Sequence, residues 1–153
     1  MVPKFEFNPC NKVEVSIDRG SRGGIYGLWF TATIVRCISA DKFLVKYNHL
    51  NMSPTVVGVH QLRPVPLSVR DWELNIGDKV QAFRKQRWWE GHVNEVTGST
   101  GKLFSVRFTD SKEIIFLKEN LRVHCKWINQ NWVPPITNQK LKNHYEVIQF
   151  FLR

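Results

Sequence analysis

Long hydrophobic stretches are absent from this 153-residue chain. Charged side chains interrupt every apolar run well before the roughly 20 residues that a membrane-spanning helix needs. The first ten residues, MVPKFEFNPC, also lack the apolar core and small-residue cleavage site of a secretory signal. We therefore expect a protein that has no membrane partner and stays inside the cell.

Cysteine is scarce. The three cysteines lie far apart and form no C-x-x-C pair: Cys10, Cys37 and Cys125. An odd number at such spacing favours neither a disulfide framework nor a zinc site. We predict reduced thiols and no bound metal.

Catalytic sequence motifs are also missing. The chain contains no G-x-S-x-G, no H-E-x-x-H and no phosphate-binding glycine loop, and no spacing pairs a cysteine with one of the five histidines. Small β-barrels further lack the interior volume for a deep substrate pocket. We predict that the protein is not an enzyme and takes neither a cofactor nor a small-molecule substrate.

Acidic residues are outnumbered, with 13 Asp and Glu against 22 Lys and Arg, which gives a net charge of +9. Such a balance favours an acidic partner, and nucleic acid is the first candidate. Hydrophobic residues make up 42% of the chain and six residues are Trp, so there is material for two small cores. The composition therefore predicts a folded chain with a basic surface.

The chain repeats itself at an offset near 60 residues. Segment 29–35 resembles 88–93, segment 43–47 resembles 104–108, and segment 62–64 resembles 121–123, with offsets of 59, 61 and 59. Within each copy, short segments alternate apolar and polar residues between turn-forming residues, which predicts antiparallel strands. We predict an all-β fold of two small barrels in tandem, at 5–66 and 72–135, with a C-terminal extension at 136–153.

The ordered set of matching segments resembles a tandem Agenet unit. The first copy shows it in 13–15, 27–32, 45–47 and 62–66, and the second in 77–83, 88–93, 106–108 and 121–127. Agenet domains are Tudor-like chromatin readers, found mainly in plants, whose fold is a strongly bent five-stranded barrel. The resemblance implies binding of the histone H3 tail through a methylated lysine, with position nine as the best-known target, and a nuclear location.

The resemblance also implies which side chains would surround that lysine. A methylated ammonium keeps its charge but loses hydrogen-bond donors, so aromatic faces and a carboxylate hold it best. Tudor-like barrels place such aromatics at the start of the second strand and the end of the third. The implied residues are Trp29, Phe30, Tyr47, His49, Asp18 and Tyr26 in copy one, and Trp88, Trp89, Phe108 and Asp110 in copy two. The alternative that these rings are simply core residues stays open.

A basic loop formed by Arg84, Lys85 and Arg87 directly precedes the tryptophans of copy two. Its charges would repel a methylammonium, so we expect copy one to form the better cage. Basic residues beside aromatic rings also suit phosphate contact and base stacking. Binding of DNA or RNA therefore remains the alternative function, with nucleosomal DNA as a second partner.

His49 follows Tyr47 by two residues and would change its charge at about pH 6.5. Protonation of a histidine in the cage opposes a bound methylammonium, so we expect weaker binding of a methylated H3 peptide at about pH 6 than at about pH 8. Calorimetry at both pH values checks this, with His49→Ala as the variant that loses the difference. Equal pH profiles for the two proteins would remove His49 from the site.

Overall fold

The computed structural model describes residues 5–17, 28–67, 72–98 and 103–134. It divides into two compact units, the first formed by Met1–Val65 with Arg84–Trp88 and the second by Pro66–Phe83 with Trp89–Arg153. The division after Val65 lies within one residue of the predicted end of the first barrel at 66, and the predicted extension at 136–153 lies outside the described residues. No helix among the described residues is long and apolar enough to span a membrane.

The first unit is a five-stranded antiparallel sheet. Its strands, in the spatial order β4-β3-β2-β1-β5, are β1 (Lys12–Ser16), β2 (Trp29–Ser39), β3 (Lys42–Tyr47), β4 (Thr55–Gly58) and β5 (Leu62–Pro64). A single 3-10 turn, Val59–Gln61, joins β4 to β5. The Gln61 side chain accepts a hydrogen bond from the Gly58 N–H at 3.0 Å and donates one to the Ser16 carbonyl at 3.1 Å. This amide ties the turn to β1.

The second unit repeats the arrangement in the order β9-β8-β7-β6-β10. Its strands are β6 (Lys79–Arg84), β7 (Arg87–Thr97), β8 (Leu103–Phe108), β9 (Glu113–Leu117) and β10 (Leu121–Val123). A 3-10 turn, Lys118–Asn120, again precedes the last strand. A separate hairpin follows, formed by β11 (Lys126–Ile128) and β12 (Asn131–Val133).

The two sheets share one register, which confirms the internal repeat. Tyr47 lies opposite Ala32 in the first unit, and Phe108 lies opposite Gly91 in the second. A bulge follows two residues later in each long strand, after Ile34 and after Val93. Such bulges bend a strand and increase its twist, as a strongly curved sheet requires. In each unit a 3-10 turn joins the two edge strands, β4 to β5 and β9 to β10, which are not paired with each other. Each unit is therefore a strongly bent, open sheet of the Tudor-like kind.

Apolar side chains line the concave face of each sheet, as the alternation in the sequence predicts. In the first unit Phe30, Ala32 and Ile34 all point into the core and are buried. Burial of a large side chain such as Phe30 or Ile34 contributes about 1.5–3 kcal/mol. The second unit has the equivalent cluster, formed by Val80, Ala82, Val93, Phe104, Val106, Phe108, Phe116 and Leu121.

An ion pair is buried on the opposite face of β1. Glu14 is 0% exposed and Arg63 2% exposed, and the two residues lie directly opposite each other across β1 and β5. The Arg63 Nε and Nη2 atoms lie 2.9 Å and 2.8 Å from Glu14 Oε1. In the second unit the same positions hold a cation with an uncharged partner, in which Arg122 Nε donates to Gln81 Oε1 at 2.7 Å.

We expect Arg63→Met to lower the free energy of unfolding of the first unit by about 3–5 kcal/mol, because it leaves the Glu14 carboxylate buried without its guanidinium. The matched variant Arg122→Met leaves only the Gln81 amide behind and should cost the second unit about 1–3 kcal/mol. Native-state hydrogen exchange separates the two units and measures both losses. Equal losses in the two variants would contradict a special role for the charged pair.

Candidate functional site

The first predicted aromatic pair lies inside the core of the first unit. The Phe30 and Tyr47 rings meet edge to face, with centroids 6.0 Å apart and planes at 76°. Phe30 is 4% exposed and Tyr47 5% exposed, and burial raises the pKa of the Tyr47 hydroxyl. The two rings are brought together as the resemblance implies, but their faces are turned inward.

An arginine already covers the Phe30 ring. The segment Arg84–Trp88 belongs to the first unit, and within that unit the Arg87 guanidinium lies 4.8 Å from the Phe30 ring centroid. The Arg87 Nε also donates to the Lys85 carbonyl at 3.2 Å. A guanidinium over an aromatic face makes the same cation–π contact that a methylammonium would make. The Arg87 guanidinium therefore occupies the site at which Phe30 would contact a bound cation.

Trp29 and Trp88 point away from the predicted cages. Successive side chains of a strand face opposite sides of the sheet, so Trp29 and Phe30 cannot line one cage, and neither can Trp88 and Trp89. Trp29 lies instead beneath Arg63, whose guanidinium carbon is 3.8 Å from the indole ring centroid. Trp29 thus covers the Arg63 guanidinium of the buried ion pair on the outer face of the sheet.

The second aromatic pair has one accessible ring, Trp89, whereas Phe108 is 4% exposed and belongs to the core. Trp89 and Phe108 meet edge to face, with centroids 6.4 Å apart and planes at 73°, and Trp89 is only partly buried. Gly91 lies beside them, and a Cβ atom there would come within 2.6 Å of the Val106 side chain and 3.2 Å of the Phe108 ring. Glycine at this position therefore allows the Phe108 ring to pack close to β7.

Asp110 lies in the turn that follows Phe108 and is exposed. Its carboxylate accepts a hydrogen bond from the Lys112 backbone N–H at 3.2 Å. The residue that follows the third strand by the same two positions in the first unit is His49, which is also exposed. A carboxylate thus accompanies the second aromatic pair, whereas a histidine accompanies the first. Asp18 and Tyr26 of the implied cage lie outside the described residues.

The basic loop forms a tight two-residue turn between β6 and β7. Lys85 and Gln86 have φ values of 50° and 63°, as the central residues of a type I′ turn require. Lys85 is exposed, whereas Arg84 and Arg87 are partly buried and both make contacts. Of the three predicted contact cations, only Lys85 therefore extends fully into solvent.

An acid and a histidine that were not predicted from the sequence also meet in the second unit. His124 is buried, and its Nε2 lies 2.7 Å from Glu90 Oε1, while Lys79 Nζ lies 3.7 Å from the same oxygen. The hydrogen bond from His124 holds the pKa of Glu90 below its ordinary value, helped by the charges of His124, Lys79 and Lys126 and opposed by burial. The only signal in the sequence is the position of Glu90 directly after the two tryptophans.

Glu90 also lines a groove of about 550 Å³ on the outer face of the second unit, together with Lys79, His92 and Arg107. The groove is open and its lining is mainly apolar, and the charges of Lys79, Glu90 and Arg107 are already paired. Arg107 donates to Glu113 Oε1 through Nε at 3.0 Å and through Nη2, and Asn94 donates to the same oxygen at 3.1 Å. The groove therefore has little net charge to offer a ligand.

Comparison with known proteins agrees with this architecture. Residues 11–67 match the family model of the Agenet domain. The chain is 31% identical over 153 residues to the Arabidopsis thaliana protein AGENET DOMAIN (AGD)-CONTAINING P1, an alignment that covers 95% of this chain and 29% of that protein. The chain thus spans under a third of the length of that relative.

Two solved structures are similar over most of their length. The crystal structure of Arabidopsis thaliana AGDP1 AGD34 has a TM-score of 0.74 and 29% identity, and the match covers 82% of this chain and 88% of that one. The crystal structure of ADCP1 tandem Agenet domain 3-4 has a TM-score of 0.69 and 27% identity, and covers 89% of each chain. Both relatives are tandem units, as the internal repeat predicts for this chain.

We expect His124→Gln to raise the pKa of Glu90 toward its ordinary value of 4.5, because the largest cause of the lowered pKa is removed. A lowered pKa in the folded state stabilises the protein above the unfolded pKa, and that contribution is lost as the pH falls through the folded value. The variant should therefore lose less stability on acidification than the wild type. Carbon NMR of the Glu90 carboxyl checks the pKa, with His92→Gln as control, and an unchanged Glu90 pKa in His124→Gln would refute the assignment.

Proposed function

The chain belongs to the Agenet domain family, and from this premise we propose that it is a chromatin reader that binds the histone H3 tail through a methylated lysine. Agenet domains are Tudor-like binding modules that take protein or peptide partners. Methylated lysine at position nine of H3 is the target that the family resemblance favours. A nuclear location follows from such a partner.

The observation that carries this proposal is the perpendicular aromatic pair of the second unit. The Trp89 ring is partly open to solvent and meets the buried Phe108 ring edge to face at 73°, and the Asp110 carboxylate follows in the adjoining turn. Two rings and one carboxylate are the chemistry that a methylammonium needs. Each cation–π contact contributes about 0.5–2 kcal/mol, so a pair gives modest binding that responds to the methyl groups.

We propose that the cage lies in the second unit, although the basic loop favours the first on charge alone, and His49 of the first unit then lies outside the cage. Burial turns the Phe30 and Tyr47 faces inward, and Arg87 covers Phe30. A methylated lysine at Phe30 would have to displace that guanidinium, whereas at Trp89 it meets a partly exposed ring. The loop charges that would repel a ligand are also partly engaged, since Arg84 and Arg87 both make contacts within the protein.

We expect Trp89→Leu to reduce the preference for a methylated over an unmodified H3 peptide by about 2- to 30-fold, the equivalent of one cation–π contact. Phe30→Leu is the matched variant, because it changes the equivalent position of the first unit to the same residue. It should leave the preference unchanged. Calorimetric titration of both peptides into each variant measures the ratio.

Asp110→Asn provides a second test that leaves the packing of the sheet intact, because Asp110 is exposed in a turn. Loss of the carboxylate should weaken binding of the methylated peptide several-fold at low salt and less at high salt. A lost preference in Phe30→Leu with a retained one in Trp89→Leu would instead move the cage to the first unit. Equal affinity of the wild type for both peptides would exclude a methyl-lysine reader.

A further inference from the structure

Four exposed cations share the outer face of the first unit. Lys12, Thr33 and Lys46 form one row across β1, β2 and β3, because Thr33 lies directly opposite each lysine. Cross-strand partners point to the same face, so the two lysines rise from one side with backbones about 10 Å apart. Arg36, opposite Leu44, and Lys42, four residues before Lys46, extend this face along the strands.

These cations have no acidic partner within the part of the chain that the structure describes. Among the described residues, the ion pair of the first unit joins Glu14 to Arg63, and both of those side chains are buried. Asp41, in the turn between β2 and β3, accepts a hydrogen bond from the Ser39 hydroxyl at 2.8 Å. The basic face, defined as Lys12, Arg36, Lys42 and Lys46, therefore presents its charge to solvent.

In the second unit, acidic residues neutralise the cations of the equivalent face. Lys79 and Arg107 occupy the positions of Lys12 and Lys46, but each has an acid beside it, Glu90 and Glu113 respectively. In the first unit the equivalents of those acids are Thr31, opposite Glu14 on β2, and Pro54, the residue before β4. The repeat thus keeps its cations in both copies and its acids in only one.

We propose that the basic face of the first unit binds the phosphate backbone of duplex nucleic acid without reading its sequence. Charge complementarity supports this occupant, because a duplex is the most densely charged polyanion, with about one charge per 1.7 Å of helix axis. The neutral residues between the cations are Thr33, which donates to Asn48 at 2.9 Å, and Leu44, and neither is an aromatic ring on which a base could stack. Contact with the backbone of a paired duplex therefore fits this face better than contact with an unstacked single strand.

This surface differs from the aromatic pair of the second unit, so the inference does not depend on methyl-lysine binding. It also differs from the basic turn around Lys85, where two of the three cations are engaged within the protein. The four cations of the basic face have exposed side chains on consecutive strands of one sheet. Charges held in this way on neighbouring strands can contact phosphates without fitting a particular base.

The experiment measures how the affinity for a random-sequence duplex of about 20 base pairs depends on salt between about 50 and 200 mM. Each phosphate contact contributes about 0.9 to the logarithmic salt slope, so Lys46→Gln and Lys12→Gln should each reduce the slope by about 0.9, and together by about 1.8. Thr31→Glu, which introduces the acid of the second unit beside Lys12, should reduce the slope similarly. Fluorescence anisotropy of the full chain gives these values.

Lys79→Gln and Arg107→Gln are the matched controls, because they remove the equivalent cations of the second unit, and they should leave the slope unchanged. Lys85→Gln should leave it unchanged as well. A slope that falls in Lys85→Gln and not in Lys46→Gln would overturn the proposal and move the contact to the turn. Equal affinity for poly-glutamate would also overturn it in favour of an acidic polypeptide, and no binding of duplex would end it. Circular dichroism confirms that each variant is folded.

Discussion

A carboxylate and a guanidinium lie buried together where β1 and β5 of the first unit run side by side. Two charges taken out of water are stable only as a hydrogen-bonded pair, so Glu14 and Arg63 fix the register of these strands relative to each other. The Trp29 ring packs on this pair, with its centroid 3.8 Å from the Arg63 guanidinium carbon, and Phe30, the next residue of β2, faces the other side of the sheet. The direction of every other side chain in β2, including the inward aromatic and the outward Thr33, follows from that register.

The same scaffold carries different charges in its two copies. Gln81 replaces the buried acid in the second unit, and the acids that the first unit lacks appear there on the outer face as Glu90 and Glu113. The first unit therefore buries its acid with Arg63, whereas the acids of the second unit neutralise cations on its outer face. One sheet is left with a basic outer face and the other with a partly exposed tryptophan near a carboxylate, so two units of the same fold have different surfaces.

Much of the fold could be predicted from the sequence, because strand alternation and a constant repeat offset are local signals. The inward positions of Phe30, Ala32 and Ile34 follow directly from period-two patterning. The accessibility of the aromatic pairs could not be predicted, since it depends on contacts between distant residues such as Arg87 and Phe30. Nor could the hydrogen bond between His124, in the connection after β10, and Glu90, in β7, since the two residues share no sequence motif.

The sequences of the two copies have diverged at Gly91. Ala32 has the equivalent position and register, yet a methyl group at Gly91 would overlap the side chain of Val106 and press on Phe108. The repeats are therefore alike in backbone but not exchangeable in sequence, because each strand is fitted to the rings of its own copy. A recombination event that replaced β7 of the second unit with β2 of the first would keep the alternation of the strand. It would nevertheless displace the Trp89–Phe108 ring pair that distinguishes the second unit.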